Sequence, residues 1–109
     1  MKKLIPNFDK FIEERIIPVE GDICKEALAM SSEMRKQIVE NVNVIINCAA
    51  SVNFNEPLRD AIEINYNGAR RMTDLAKECH HLEIFTHVST AYVNSNKEGF
   101  IQEKVHPIN

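Results

Sequence analysis

Two hydroxyls stand side by side, Ser89 and Thr90, where an apolar run ends. A hydroxyl there can donate a hydrogen bond to a carbonyl oxygen and polarise it for hydride attack. It can also simply cap the loop that follows, and spacing alone favours that simpler role. A second apolar run ends in Cys48-Ala49-Ala50-Ser51. Small residues such as Ala49 and Ala50 let a flat ligand approach the backbone, as glycine does in phosphate loops; tight helix–sheet packing would ask for the same residues. Cys48 could attack a thioester, but it lies in an apolar run with no histidine beside it. A buried structural cysteine is the better reading.

The turn Gly21-Asp22-Ile23 closes a shorter run. Asp22 can cap that turn or accept hydrogen bonds from the adenine amino group of a dinucleotide. Asn65 falls on an otherwise apolar helical stripe, and Gly68 shares its face. A buried Asn without partners costs roughly 1–3 kcal/mol. It must therefore be tied to backbone, or brace a catalytic strand and a bound water. Gly68 costs about 1 kcal/mol against alanine inside a helix, so a close neighbour is expected there.

These residues need elements to hold them. Phe8, Phe11, Ile12 and Arg15 have helical spacing, and the helix should end near Arg15. Residues 16–19 read as a brief strand carrying Pro18, closed by Gly21-Asp22. Ser31-Ser32-Glu33 marks a helix start that runs to about Asn41. Residues 42–50 are continuous, apolar and β-branched, which predicts a parallel strand buried on both faces. Asn55-Glu56-Pro57 opens a long amphipathic helix whose stripe runs through Leu58, Ala61, Ile62, Ala69, Met72, Leu75 and Ala76 to Cys79. Residues 83–89 form the last buried strand, and residues 91–109 are polar and irregular.

Helix and strand thus alternate three times. That order predicts an α/β fold, a partial Rossmann-like doubly wound parallel sheet of about three strands. Ligands of such a sheet sit at the carboxyl ends of the strands, so the three strand ends should line one crevice. Three strands leave faces and edges uncovered, which implies a fragment or dependence on a partner.

Composition narrows the class. The 109 residues are 44% hydrophobic and 27% charged, ordinary for a globular protein. The net charge is −3, basic residues are scattered and aromatics make up 6%, so no nucleic-acid footprint is present. Cys24, Cys48 and Cys79 have neither disulfide nor zinc spacing, which suits a reducing compartment. His80, His81, His87 and His106 lack metal-binding spacing, and His87 reads as packed within its strand. The start at Met1-Lys2-Lys3 resembles a signal peptide until Pro6, Asn7, Asp9 and Lys10 interrupt it. No run approaches the roughly 20 apolar residues of a membrane span.

Gly21-Asp22-Ile23, Asn47-Cys48-Ala49-Ala50, Asn65-Tyr66-Asn67-Gly68 and His87-Val88-Ser89-Thr90 occur in the order seen in extended short-chain dehydrogenases/reductases. AASVNFNEPLRDAIEINYNGARRMTDLAKEC (49–79) and EIFTHVSTAYVNS (83–95) resemble, more specifically, the alcohol-forming fatty acyl-CoA reductases of the male-sterility type. The resemblance covers nearly the whole chain from about Ile16. It implies that Asp22 and Ile23 meet the adenine of NADPH, and that Cys48, Ala49 and Ala50 line the dinucleotide path. It also implies that Asn65 is the supporting helix asparagine, that Ser89 contacts the cofactor near the nicotinamide, and that Thr90 is the catalytic hydroxyl on the substrate carbonyl. The implied substrate is a fatty acyl-CoA, reduced to a primary alcohol. The implied setting is intracellular, with room for a homo-oligomer. Membrane association, at endoplasmic reticulum or peroxisome, would come only through other parts of a parent chain.

Two features of that family pattern are absent. No G-x-x-G-x-x-G stands near the N-terminus, and no Tyr-x-x-x-Lys follows Thr90: Tyr92 has Asn96 four residues on, and Lys104 has no Tyr four before it. These 109 residues alone are therefore expected not to transfer hydride. Other readings are a different extended reductase, such as a carboxylate reductase terminal domain or a sugar-nucleotide epimerase, or a truncated, non-catalytic binding module. The segment VNFNEPLRDAIEINYNG argues against the former, and the two absent motifs favour the latter for this chain.

Overall fold

In the computed structural model of the chain, residues 6–107 are described. The leader-like start at residues 1–5 and residues 108–109 lie outside that part. Helix α1 (Phe8–Arg15) ends where the spacing placed its end. Helix α2 (Ser32–Asn41) begins as its serine dictates: Ser31 stays extended and its Oγ accepts the Met34 N–H at 3.2 Å. That bond satisfies one of the orphan donors of the first turn.

Strand β1 (Val44–Asn47) and strand β2 (Ile84–His87) pair in parallel, with Val44 opposite Ile84 and Asn47 opposite His87. Parallel neighbours need a long crossover. The helix after Pro57 supplies it in three parts: α3 (Leu58–Ile62), a π-helical turn (Glu63–Asn67) and α4 (Gly68–Glu78). The architecture is α/β with a parallel sheet. α4 packs on both strands and α2 packs on α4. Arg35 of α2 clamps the end of α4, with its Nη2 2.8 Å and its Nε 3.2 Å from the Glu78 carboxylate.

Three expectations about the elements need correction. Residues 16–19 join no ladder, so the sheet among the described residues has two strands rather than three. Pro18 has no N–H to offer a ladder, and Ile17 lies exposed. The strands are also not buried on both faces. Ile45 and Asn47 point into the α4 side, while Val44 and Ile46 are 49% and 67% exposed, because no described element packs against that face. Last, the apolar stripe of the long helix is only partly covered. Leu75 and Ala76 are buried, but Leu58 and Ile62 are exposed.

The buried apolar core among the described residues consists of Leu28, Ile45, Leu75 and Ala76. The radius of gyration is 17.4 Å, against about 13 Å for a compact domain of this length. Leu28, at the centre of that core, occupies an unusual turn. Ala27, Leu28 and Ala29 all have left-handed backbone, with φ of 48°, 62° and 48°. Each costs roughly 1–2 kcal/mol without glycine. The turn is held by burial of Leu28 and by its carbonyl, which accepts the Asp22 N–H at 2.7 Å.

Candidate active site

Beyond Asn47 and His87 the chain leaves the ladder, and both strands open into a cleft of about 570 Å³. Ala50, Asn65, Ser89 and Thr90 line it together, as do Phe54 and His87. The second and third strand ends therefore share a crevice, as the α/β order requires.

Asn65 stands within the π-helical turn, an irregularity that frequently marks functional sites in helices. It does not lie buried on the helix stripe; it is exposed to the cleft. Its Oδ1 accepts the Ser51 N–H at 2.9 Å. The asparagine is thus tied to backbone, and it fixes the loop that follows β1. Ser51 Oγ bonds the Glu56 carboxylate and accepts the Asn53 N–H at 3.3 Å, so one short loop is held from several sides.

Thr90 caps the short 3₁₀ turn Ala91–Asn94, its Oγ1 accepting the Tyr92 N–H at 3.2 Å. The simpler role expected for this hydroxyl is therefore real. It does not exclude the chemical one. A hydroxyl carries one donor and two acceptor sites, and the cap uses an acceptor. The O–H remains free to donate into the cleft. Tyr92 also meets Phe54 edge-on, ring centres 5.9 Å apart, which joins the loop after β1 to the segment after Thr90.

The sequence reading missed His87 as a wall of the cleft. It is exposed rather than packed, and its Nδ1 lies 3.1 Å from Nδ2 of the buried Asn47. Asn47 and His87 stand at the last paired positions of their strands and are brought opposite by the parallel register. Ser51, Phe54 and Glu56 were also not singled out individually.

Asp22 and Ile23 do not enter this cleft. They line a separate, mainly apolar depression of about 470 Å³ with Val19, Leu28, Met72 and Leu75. Asp22 Oδ1 accepts the Cys24 N–H at 2.8 Å, so the carboxylate serves the turn. Ile23 reaches back to the long helix, where a Cβ on Gly68 would stand 2.9 Å from Ile23 Cδ1. The close neighbour expected at Gly68 is this side chain. Arg71, one turn further on, donates from Nη1 to the Ile23 carbonyl at 3.0 Å and pairs with Glu63 Oε1 at 2.6 Å. The Asn67 amide donates to Glu63 Oε2 at 2.7 Å. The Asn67 bond first, then Arg71, holds the Glu63 carboxyl below the usual carboxylate range. A lowered folded-state value means that this stabilisation is complete above the ordinary glutamate value of about 4.3 and fades only as pH falls through the lowered one.

Cys48 and Ala49 are exposed between β1 and the cleft, so Cys48 is not the buried cysteine expected. It stands past the last ladder position, where α4 no longer covers the strand. Burial, followed by the charge of Asp22, pushes the Cys24 thiol up. Burial likewise raises Cys79, whose Sγ donates to the Leu75 carbonyl at 3.4 Å. The thiolate is the reactive form. Under limiting iodoacetamide, Cys48 should be alkylated before the other two, as read by peptide mass mapping. A faster Cys24 or Cys79 would contradict this placement. Among the described residues no cluster of His, Cys, Asp and Glu could hold a metal ion, and no helix is long and apolar enough to cross a membrane.

A parallel strand–helix–strand unit with a cleft outside the carboxyl ends of its strands defines an α/β ligand-binding segment. Over residues 2–109 the chain matches an NAD-binding domain described as male sterility protein, and it belongs to that family. It is 43% identical over 94 residues to "Fatty acyl-CoA reductase 1" of Pongo abelii, covering 86% of this chain and 18% of that one. It is 40% identical over 99 residues to "Alcohol-forming fatty acyl-CoA reductase" of Simmondsia chinensis, covering 90% and 20%. "Fatty acyl-CoA reductase 2, chloroplastic" of Arabidopsis thaliana is 39% identical over 98 residues, covering 90% and 16%. The chain spans a fifth or less of the length of these curated relatives.

Proposed function

We propose that this chain is the dinucleotide-binding segment, Rossmann-like in plan, of an alcohol-forming fatty acyl-CoA reductase that uses NADPH. The observation that carries the reading is the cleft at the ends of parallel strands, where Ser89, Thr90, Ala50 and Asn65 converge. The names of the relatives supply the chemistry. A thioester becomes an aldehyde and then a primary alcohol. Two hydrides and two protons are consumed and the CoA thiol is released. NADPH supplies the hydrides. This chain contributes the Thr90 O–H, which stabilises the carbonyl oxygen as charge develops on it. It also contributes Ala49 and Ala50, which leave room for the dinucleotide, and Ser89 beside the nicotinamide. Asp22 and Ile23 serve the adenine end. Three unpaired cysteines suit an intracellular, reducing compartment.

These residues hold no Tyr-x-x-x-Lys to complete the proton transfer, so turnover needs a longer polypeptide. The test compares the 109-residue chain with a full-length reductase carrying it, following NADPH consumption with a long-chain acyl-CoA and quantifying fatty alcohol. Alcohol is expected from the full-length protein only. Turnover by the short chain would end the segment reading. Activity of the long one on a sugar nucleotide but not on acyl-CoA would end the substrate reading.

A further inference from the structure

The helix that carries Asn65 also grips the loop after residues 16–19, through contacts that the reductase reading does not use. We propose that Arg71 is a positioning residue for the adenine end of the dinucleotide site, acting through the Ile23 carbonyl, with Glu63 and Asn67 fixing its guanidinium. The inference rests on reading Asp22 and Ile23 as that end of the site.

The geometry is specific. Arg71 Nη1 carries two N–H groups, and it meets two acceptors: the Ile23 carbonyl at 3.0 Å and Glu63 Oε1 at 2.6 Å. Glu63 is itself steadied by Asn67 at 2.7 Å. Glu63 and Asn67 are the first and last residues of the π-helical turn, and Asn65 is its middle residue. Four residues beyond Asn67, α4 presents Arg71 on the same side as Gly68, against which Ile23 lies. One turn of irregular helix therefore holds two loops. Through Asn65 it fixes Ser51 behind the cleft, and through Arg71 it fixes Ile23 beside Asp22. The Arg71 bond restrains the Ile23 carbonyl and with it the Asp22 turn that would face an incoming base. Arginine suits the task because one Nη1 nitrogen carries two N–H donors and so meets both acceptors.

Gly68 gives an independent handle on the same loop. Alanine there gains helix propensity, but its Cβ would press on three atoms of Ile23, at 2.9, 3.2 and 3.3 Å. It crowds the Ile23 side chain without removing Arg71 or Glu63.

The experiment uses the full-length reductase and titrates ADP-ribose, NMN and NADPH calorimetrically, together with KM for acyl-CoA. Arg71→Ala and Gly68→Ala should each weaken ADP-ribose and NADPH at least tenfold. NMN affinity and the KM for acyl-CoA should stay within twofold. Arg71→Lys should recover part of the loss, because it keeps the charge beside Glu63. Unchanged ADP-ribose affinity in Arg71→Ala overturns the proposal, even if thermal stability falls. So does an equal loss for acyl-CoA, which would mark a general structural defect. If Arg71→Ala does not fold, Arg71→Gln, which removes the charge and keeps much of the side chain, decides by the same criteria. A wild-type protein that binds no nicotinamide dinucleotide would instead refute the reductase reading, a result distinct from any of these.

Discussion

Thr90→Val in the full-length reductase should lower kcat by about 10²–10³-fold, the usual effect of removing one oxyanion donor. Valine matches threonine in shape, so the cleft keeps its walls and only the hydroxyl goes. Two bonds are then lost. The Tyr92 N–H loses its acceptor, a bond worth about 1 kcal/mol in an exposed turn. The substrate oxygen loses the donor that it needs as charge develops. The first loss affects stability slightly and the second affects rate heavily, so the two can be separated. Thermal midpoint and the Kd for NADPH should change little while kcat collapses. Thr90→Ser should retain most of the activity, because it keeps both the cap and the donor. A valine variant within threefold of wild-type kcat would remove Thr90 from the chemistry and leave it as a loop cap.

Asn65→Leu should cost about 10²-fold in kcat/KM, by a different route. Asn65 touches the Ser51 N–H rather than a reacting atom in this structure. Without it, the loop of residues 50–56 loses its tie to the helix, and misplacement of an active-site wall by about 1 Å is enough for a loss of that size. Global stability should fall by only about 1 kcal/mol, since the bond is solvent-exposed. Asn65→Asp retains an acceptor oxygen for Ser51 and should recover part of the activity. The measurements are steady-state kinetics beside urea unfolding of the same variants. A Leu variant that loses several kcal/mol of stability yet keeps its kcat would show that Asn65 is structural alone. Both substitutions act on the cleft at the strand ends.

Local signals were the most legible part of the sequence. Ser31 capped its helix and Arg15 ended another, because a cap is a contact between near neighbours in the chain. The cleft residues Ala50, Asn65, Ser89 and Thr90 were also legible, since alternating elements place strand ends together. Burial was less so. Cys48, Asn65 and His87 were each read as buried or packed, and each is exposed. The apolar pattern around them records what the fold would cover, whereas exposure depends on which layers are present. Residues 16–19 illustrate the same point: a β-like run becomes a strand only when a neighbour accepts its hydrogen bonds.

The order of the main helices and of the two paired strands, and the residues at the ends of those two strands, were legible in the sequence, because hydrophobic period and turn chemistry act over a few residues. Only the tertiary structure decided the π-helical turn, the Arg71–Glu63 grip on Ile23, the Asn47–His87 contact and the separation of Asp22 from the Thr90 cleft. Apart from the π-helical turn, these depend on distances between groups tens of residues apart in the chain, and no local pattern encodes such a distance until the packing of α4 on the sheet sets it.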